Sequence, residues 1–139
     1  MRVRIAELMR VQCNDTVSII LDLPAGHGYL SAEFAQLFPK TDVTGLGLPS
    51  DFKTHFGLRA SRAYPRFIWS RTHYLGCDCT HLALKDSSCD MVVNFLGLED
   101  VMMTRGQKGV DNTLSEMVRV VKDHGLVQIA IVGYGKSPE

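Results

Sequence analysis

Apolar residues recur along this chain in two alternating rhythms, one of strands and one of helices. Val17-Ser18-Ile19-Ile20-Leu21-Asp22-Leu23 is almost continuous in apolar and β-branched residues, the pattern of a strand covered on both faces. The turn Asp22-Leu23-Pro24-Ala25-Gly26-His27-Gly28 follows it, and beyond the turn Leu30, Phe34, Leu37 and Phe38 fall at helical spacing up to Pro39, which predicts a helix ended by the proline. Asp42–Leu46 predicts a second strand, and Pro49-Ser50-Asp51-Phe52 opens a helix with proline in its first turn. Residues 57–71 are basic and mixed, with a break at Tyr64-Pro65, and read as a variable connection. A third strand is expected at Thr72–Leu75, a turn region at Gly76–Ser88 and a fourth strand at Met91–Phe95. Thr113-x-x-Glu116 has the form of a capping box, Leu114, Met117, Val118 and Val121 form an apolar face, and Gly125 is placed to stop that helix before a fifth strand at Leu126–Val132. Ahead of all these, Ile5, Leu8, Met9 and Gln12 predict a short amphipathic helix over Arg4–Gln12.

Strands alternating with helices predict an α/β fold, a Rossmann-like, mostly parallel sheet with helices on both faces. Ligands of such sheets sit at the carboxyl ends of the strands. At 139 residues the chain is long enough for a single domain, taken as 1–139. Its formal net charge is zero, so it has no electrostatic footprint for a polyanion, and a small molecule or a protein is expected as partner rather than nucleic acid. There is no apolar run of bilayer length, and Met1-Arg2-Val3-Arg4-Ile5 lacks the apolar core of a secretion signal, so a cytoplasmic protein away from membranes is expected. Cys13, Cys77, Cys79 and Cys89 are expected as free thiols.

The glycines after the first strand let the backbone turn sharply and bring a ligand close to the amides at a helix N-terminus. A plain tight turn would use them equally well. A dinucleotide fingerprint would want glycine where Gly26-His27-Gly28-Tyr29-Leu30-Ser31 has serine, and the acid Asp22 is a further difference. Cys77-x-Cys79-x-His81, with Cys89 and His73, offers zinc-ligand residue types. Structural zinc pairs are spaced C-x₂₋₄-C, however, and residues two apart on an extended chain share one face, so packing under the sheet is expected there and no metal.

In order along the chain, Ile20–Ser31 with its acid and alternate glycines, Val43–Leu48, Gly76-Cys77-Asp78-Cys79-Thr80, Asp86–Val101 and Leu114–Leu126 resemble the successive motifs of class I S-adenosylmethionine-dependent methyltransferases. The resemblance covers about Val17 to Val132 and implies the methyltransferase type of sheet, lacking the C-terminal strand pair with which the family's sheet normally continues. It implies S-adenosylmethionine as cofactor, with Asp22, Pro24, Ala25, Gly26, His27, Gly28, Asp78, Cys79 and Asn94 around it. Asp22 would hold its ammonium, Gly26 and Gly28 would lie against its amino-acid end, and Asp78 would accept from the adenine amino group. The family usually has glycine in place of Pro24. It usually ends its second strand, where this chain has Gly47, with an acid that takes both ribose hydroxyls, work that Ser50 or Asp51 could take over.

Methyl transfer is an in-line displacement governed by alignment, so it imposes no obligatory catalytic signature. Asn94, Glu99 and Asp100 stand at or just past the fourth strand as candidates for contact with an acceptor or its proton, although such residues also cap loops and helices. The function implied is methyl transfer to an unidentified small-molecule or protein acceptor. A methyltransferase-like module without cofactor binding, serving as a regulatory subunit, is the alternative, and an unrelated NAD-binding domain is a third. The bare edge of the fifth strand further implies that the chain is a fragment, or that a homodimer or larger assembly covers it.

Overall fold

The computed structural model, which describes Arg4, residues 6–8 and residues 17–132, contains five parallel strands in one sheet. They are β1 (Ile19–Asp22), β2 (Asp42–Gly47), β3 (Thr72–Gly76), β4 (Cys89–Phe95) and β5 (Val121–Ala130), in the order β3-β2-β1-β4-β5. The connections carry α1 (Tyr29–Leu37), α2 (Asp51–Thr54), α3 (Ala60–Ala63), α4 (Arg66–Trp69) and α5 (Gly97–Val120). This is the expected α/β architecture.

Strand periodicity divides the core between the two faces. Ile20, Val43, Met91 and Val93 face α1 and α4, where Leu30, Phe34, Ala35, Phe38 and Ile68 meet them. Leu21, Leu46 and Val92 point the other way, to Met117 and Val120 of α5 and to Leu82. The central strands are covered on both sides, which is why their sequences are almost unbroken apolar runs.

Hydrogen bonds at the sheet's amino-terminal side fix the register. The Asp90 carboxylate accepts the backbone N–H groups of Ser18 and Ile19 at 3.0 and 2.9 Å and pairs with Lys122 Nζ at 2.9 Å, joining the beginnings of β1, β4 and β5. Arg71 donates to the carbonyls of Phe38 and Thr41 at 2.9 Å and to that of Ala35, so its guanidinium caps the C-terminus of α1.

Several expectations need correction. Thr113 does not cap a helix: it lies inside α5, its hydroxyl donating to the Gly109 carbonyl at 2.9 Å. The helical stretch that holds Thr113 starts after the break at Gly106, and α5 as a whole begins at Gly97, where Asn94 Oδ1 accepts the N–H groups of Gly97 and Leu98 at 3.1 and 3.2 Å. Nor does Gly125 stop it. The chain turns extended at Val121 and passes from helix to strand without a loop, and Gly125 sits in the bulge by which β5 changes register between Cys89↔Val121 and Met91↔Leu126. Val118, placed on the apolar face, is exposed. Residues 57–71 fold into α3 and α4, parted at Tyr64-Pro65. Of the amino-terminal helix, Arg4 and residues 6–8 are helical, with Ala6 rather than Leu8 facing the core, while Ile5, Met9, Gln12 and the thiol of Cys13 lie outside the described residues.

Glu116, the acid of that apparent capping box, has a different task. Its carboxylate accepts the Leu82 N–H at 2.6 Å and the Arg119 guanidinium at 2.7 and 2.8 Å. Arg119 also donates to the carbonyls of Leu82 and Leu84 and to Asp86. This network ties residues 82–86 to α5, and Arg119 holds the Glu116 carboxyl below its ordinary range. Arg119→Met is expected to raise amide exchange in that loop by about tenfold, read by hydrogen-exchange mass spectrometry. Unchanged protection would show that packing of Leu82 and Leu84 suffices.

Candidate functional site

A cleft of about 330 Å³ opens at the carboxyl ends of β1 to β4. It spans the point where the strand order reverses, between β1 and β4, the position at which doubly wound sheets bind ligands. Leu46 and Gly47 reach it from β2, Cys77, Asp78 and Cys79 from the end of β3, Asn94 from β4 and Pro24 from the turn after β1. Leu48 and Asp51 line it just after β2, and Gly97, Asp100, Val101, Thr104 and Arg105 complete it from one face of α5, at spacings of three and four residues.

The turn is built from the sheet outward. Leu23 N–H bonds the Val93 carbonyl and Ala25 N–H bonds the Leu46 carbonyl, at 2.9 and 2.8 Å. Pro24, between them, therefore costs the turn no needed donor. Gly26 (φ +51) and Gly28 (φ +83) both have left-handed backbones, which glycine adopts without strain. A side chain on Gly26 would meet open space, whereas a Cβ on Gly28 would stand 2.9 Å from the Phe56 ring and 3.1 Å from Trp69. The second glycine thus also admits the aromatic packing of residues 56 and 69.

Asp22 ends β1 at 1% exposure. Its Oδ2 accepts the Ser31 hydroxyl at 2.6 Å, while Oδ1 is buried with no hydrogen-bond partner. Burial raises its carboxyl to about 7, outweighing the hydrogen bonds from Ser31. The base of the turn thus holds a carboxyl poised to ionise near neutrality, with one oxygen unused.

Asp78 is the opposite case. Its Oδ1 accepts the Thr80 N–H and hydroxyl at 2.9 and 2.8 Å, and Oδ2 accepts the Arg105 guanidinium at 2.8 Å. The Thr80 hydrogen bonds, ahead of Arg105, hold its pKa below the ordinary value, so Asp78 is a fixed anionic acceptor at the cleft wall. Cys79 accepts from the Thr113 hydroxyl at 3.6 Å, and it packs with Cys77 against the Leu21 and Val92 face of the sheet.

Of the residues expected around a cofactor, Pro24, Asp78, Cys79 and Asn94 line the cleft. Asp22, Ala25, Gly26, His27 and Gly28 lie beside it in the turn and do not line it. His27 turns outward to α2, its Nδ1 3.3 Å from the His55 carbonyl oxygen. Asn94 is fully buried, with Oδ1 spent on the start of α5 and Nδ2 unpartnered. Asp100 lines the cleft. Glu99 is directed elsewhere, its Oε1 accepting the Val132 N–H at 2.8 Å. Sequence reasoning missed Val101, Thr104 and Arg105. Their helical spacing from Gly97 was the available signal.

A parallel five-stranded sheet with a cleft at its switch point defines a doubly wound α/β protein with the cleft where such folds bind ligands. The family described as a methyltransferase domain matches residues 21–129, and the chain belongs to that family. Among solved structures it is similar to the glycopeptide N-methyltransferase MtfA complexed with S-adenosyl-L-methionine, with a TM-score of 0.71 and 20% identity over 89% of this chain and 53% of that one. It is also similar to the cyclase SpnF, with a TM-score of 0.70 and 20% identity over 90% of this chain and 43% of that one. The apo form of the S-adenosylmethionine-dependent methyltransferase SibL follows, with a TM-score of 0.63 and 17% identity over 88% and 34%. The chain thus spans about half the length of these structures or less. Comparison with curated proteins gives no match.

Proposed function

We propose that this chain carries the S-adenosylmethionine-binding part of a methyltransferase acting on a small molecule or a protein. The observation that carries the reading is the cleft, in which residues from the ends of β1 to β4 converge on a space of about 330 Å³ with the anionic Asp78 on its wall. Its size falls within the usual range for small-ligand sites. The donor set fits the cofactor. Asp78 can accept from the adenine amino group, the unused oxygen of Asp22 suits an ammonium, and the Gly26–Gly28 backbone admits the amino-acid end.

The cofactor supplies an electrophilic methyl group on a sulfonium. The chain's own residues would bind and orient it: the turn, with Asp22 buried behind it, would take the amino-acid end, Asp78 the adenine, and Pro24 and Gly97 would line the space between. No base is required by the reaction class, and of Asn94, Glu99 and Asp100 the acid that lines the cleft is Asp100, which could take an acceptor's proton.

Calorimetric titration with S-adenosylmethionine and its demethylated product is expected to give saturable heat, and NAD none. Silence with both sulfur compounds at millimolar concentration would leave the reading as a methyltransferase-like binding module. That second reading is favoured by Gly47, and by the resemblance to SpnF, a cyclase of the same fold. We also propose a cytoplasmic location, which is compatible with there being no helix among the described residues long and apolar enough to cross a membrane.

A further inference from the structure

Between Asp51 and Asp78 the sequence has no acid, yet it carries Lys53, Arg59, Arg62, Arg66 and Arg71 in a chain whose net charge is zero. Arg71 is spent on the C-terminus of α1. The other four are exposed, and among the described residues none of them makes an ion pair. They belong to α2, α3 and α4 or stand at their ends. These short helices and the edge strand β3 surround an open groove of about 380 Å³, walled by Phe52, Phe56, Leu58, Trp69 and Tyr74, with Arg62 beside them. The walls are fixed by one another. Phe56 packs on Trp69 and Tyr74 at centroid distances of 5.5 and 4.6 Å, and Phe52 on Tyr74 at 5.4 Å. Gly57 admits the indole, since a Cβ there would lie 2.6 Å from Trp69 Cζ2. Phe52 and Leu58 nevertheless remain exposed, as does Phe67 of α4. Apolar side chains left in water around a preformed hollow mark an interaction surface.

We propose that this groove docks an acidic peptide segment of a protein partner, one aromatic side chain entering against Trp69 while carboxylates on either side of it meet Arg62 and the neighbouring cations. The proposal does not depend on what the cleft binds. Charge complementarity sets the sign of the partner: four unpaired cations with no acid among them call for carboxylates. Their spread over three helices is more than one small acid uses, and a rigid aromatic hollow is what a single anchoring side chain fills. A bilayer offers no such anchor, and a chain of zero net charge has no long-range field for a polynucleotide.

Trp69 is the single tryptophan of the chain, so its emission reports on this groove. The experiment is a fluorescence titration of the full chain with a short tryptophan-free peptide in which one phenylalanine is flanked by glutamates. A saturable change in emission is expected, weakening with added salt. Arg62→Glu is expected to lower the affinity by about tenfold or more, because it sets like charges against each other. Lys108→Glu makes the same change in net charge on α5 and is expected to leave the affinity as it is. Peptides with serine for the phenylalanine, or lysines for the glutamates, are expected to bind about tenfold more weakly or worse. Circular dichroism establishes that each variant is folded. The proposal is overturned if the acidic peptide gives no saturable change at millimolar concentration, or if Arg62→Glu and Lys108→Glu behave alike. Tighter binding to phosphatidylserine vesicles or to oligothymidylate than to the peptide overturns it as well, in favour of a lipid surface or a nucleic acid.

Discussion

Asp22→Asn is expected to remove most of the pH dependence of stability between about pH 4 and pH 7. The carboxyl has an ordinary value of 3.8 and is raised to about 7 by burial in the folded chain. Below pH 3.8 it is neutral folded or unfolded, and folding carries no penalty from it. Between the two values the unfolded chain ionises first, so stability falls as pH rises and levels off above about 7. The loss is on the order of 4 kcal/mol. The difference between wild-type and variant chains in urea unfolding at successive pH values isolates this group from Asp78, Asp90 and Glu116, whose lowered values act in the opposite direction. Parallel curves for the two chains would show that Asp22 does not carry the effect. Binding gives a second readout. An ammonium beside Asp22 lowers its pKa, so S-adenosylmethionine is expected to release about half a proton at pH 7, where the free carboxyl is half protonated, and more at slightly lower pH. Calorimetry in buffers of different ionisation enthalpy reads this, and the release should vanish in the variant.

The other large effect is steric. A methyl group on Gly97 would be 1.9 Å from Pro24 Cδ, 2.6 Å from its Cγ and 3.1 Å from Asn94 Nδ2. Pro24 is a ring in a turn held on either side by Leu23 and Ala25, and Asn94 is fully buried, so none of these atoms yields easily. Gly97→Ala is expected to cost about 3 kcal/mol in urea unfolding and to weaken ligand binding, because the displaced groups are cleft walls. A loss under roughly 0.5 kcal/mol would mean that the start of α5 moves freely.

Much of the fold was legible because each half of the parallel sheet announces itself locally. β1, its turn and α1 follow one another within about twenty residues of sequence, and buried strands write continuous apolar runs. The first half of α5 was illegible for the converse reason. Its functional face consists of Gly97, Asp100, Val101, Thr104 and Arg105, which turn to a cleft rather than to the core, so apolar periodicity has nothing to detect. Glu116 imitated a capping box because its carboxylate does accept a backbone N–H, that of Leu82, 34 residues away in sequence, instead of one in its own helix. At the site, Asp78 and Asn94 were found through motif order. A Cβ at Gly47 would stand 2.6 Å from the Tyr74 hydroxyl oxygen, Tyr74 being brought in by the pairing Gly45↔Tyr74 between β2 and β3, and such a contact leaves no local trace.

Gly106 breaks the helical path within α5, with φ +66 and ψ −167. Residues 97–105 thereby form a panel facing the cleft on one side and solvent on the other, where Met102 and Met103 are exposed. Residues 107–120 remain moored to the sheet through Met117, Val120 and Arg119. Met102 and Met103 can therefore change without disturbing that mooring. Substitutions before Gly106 act on the cleft, whereas those after it act on the packing of the sheet.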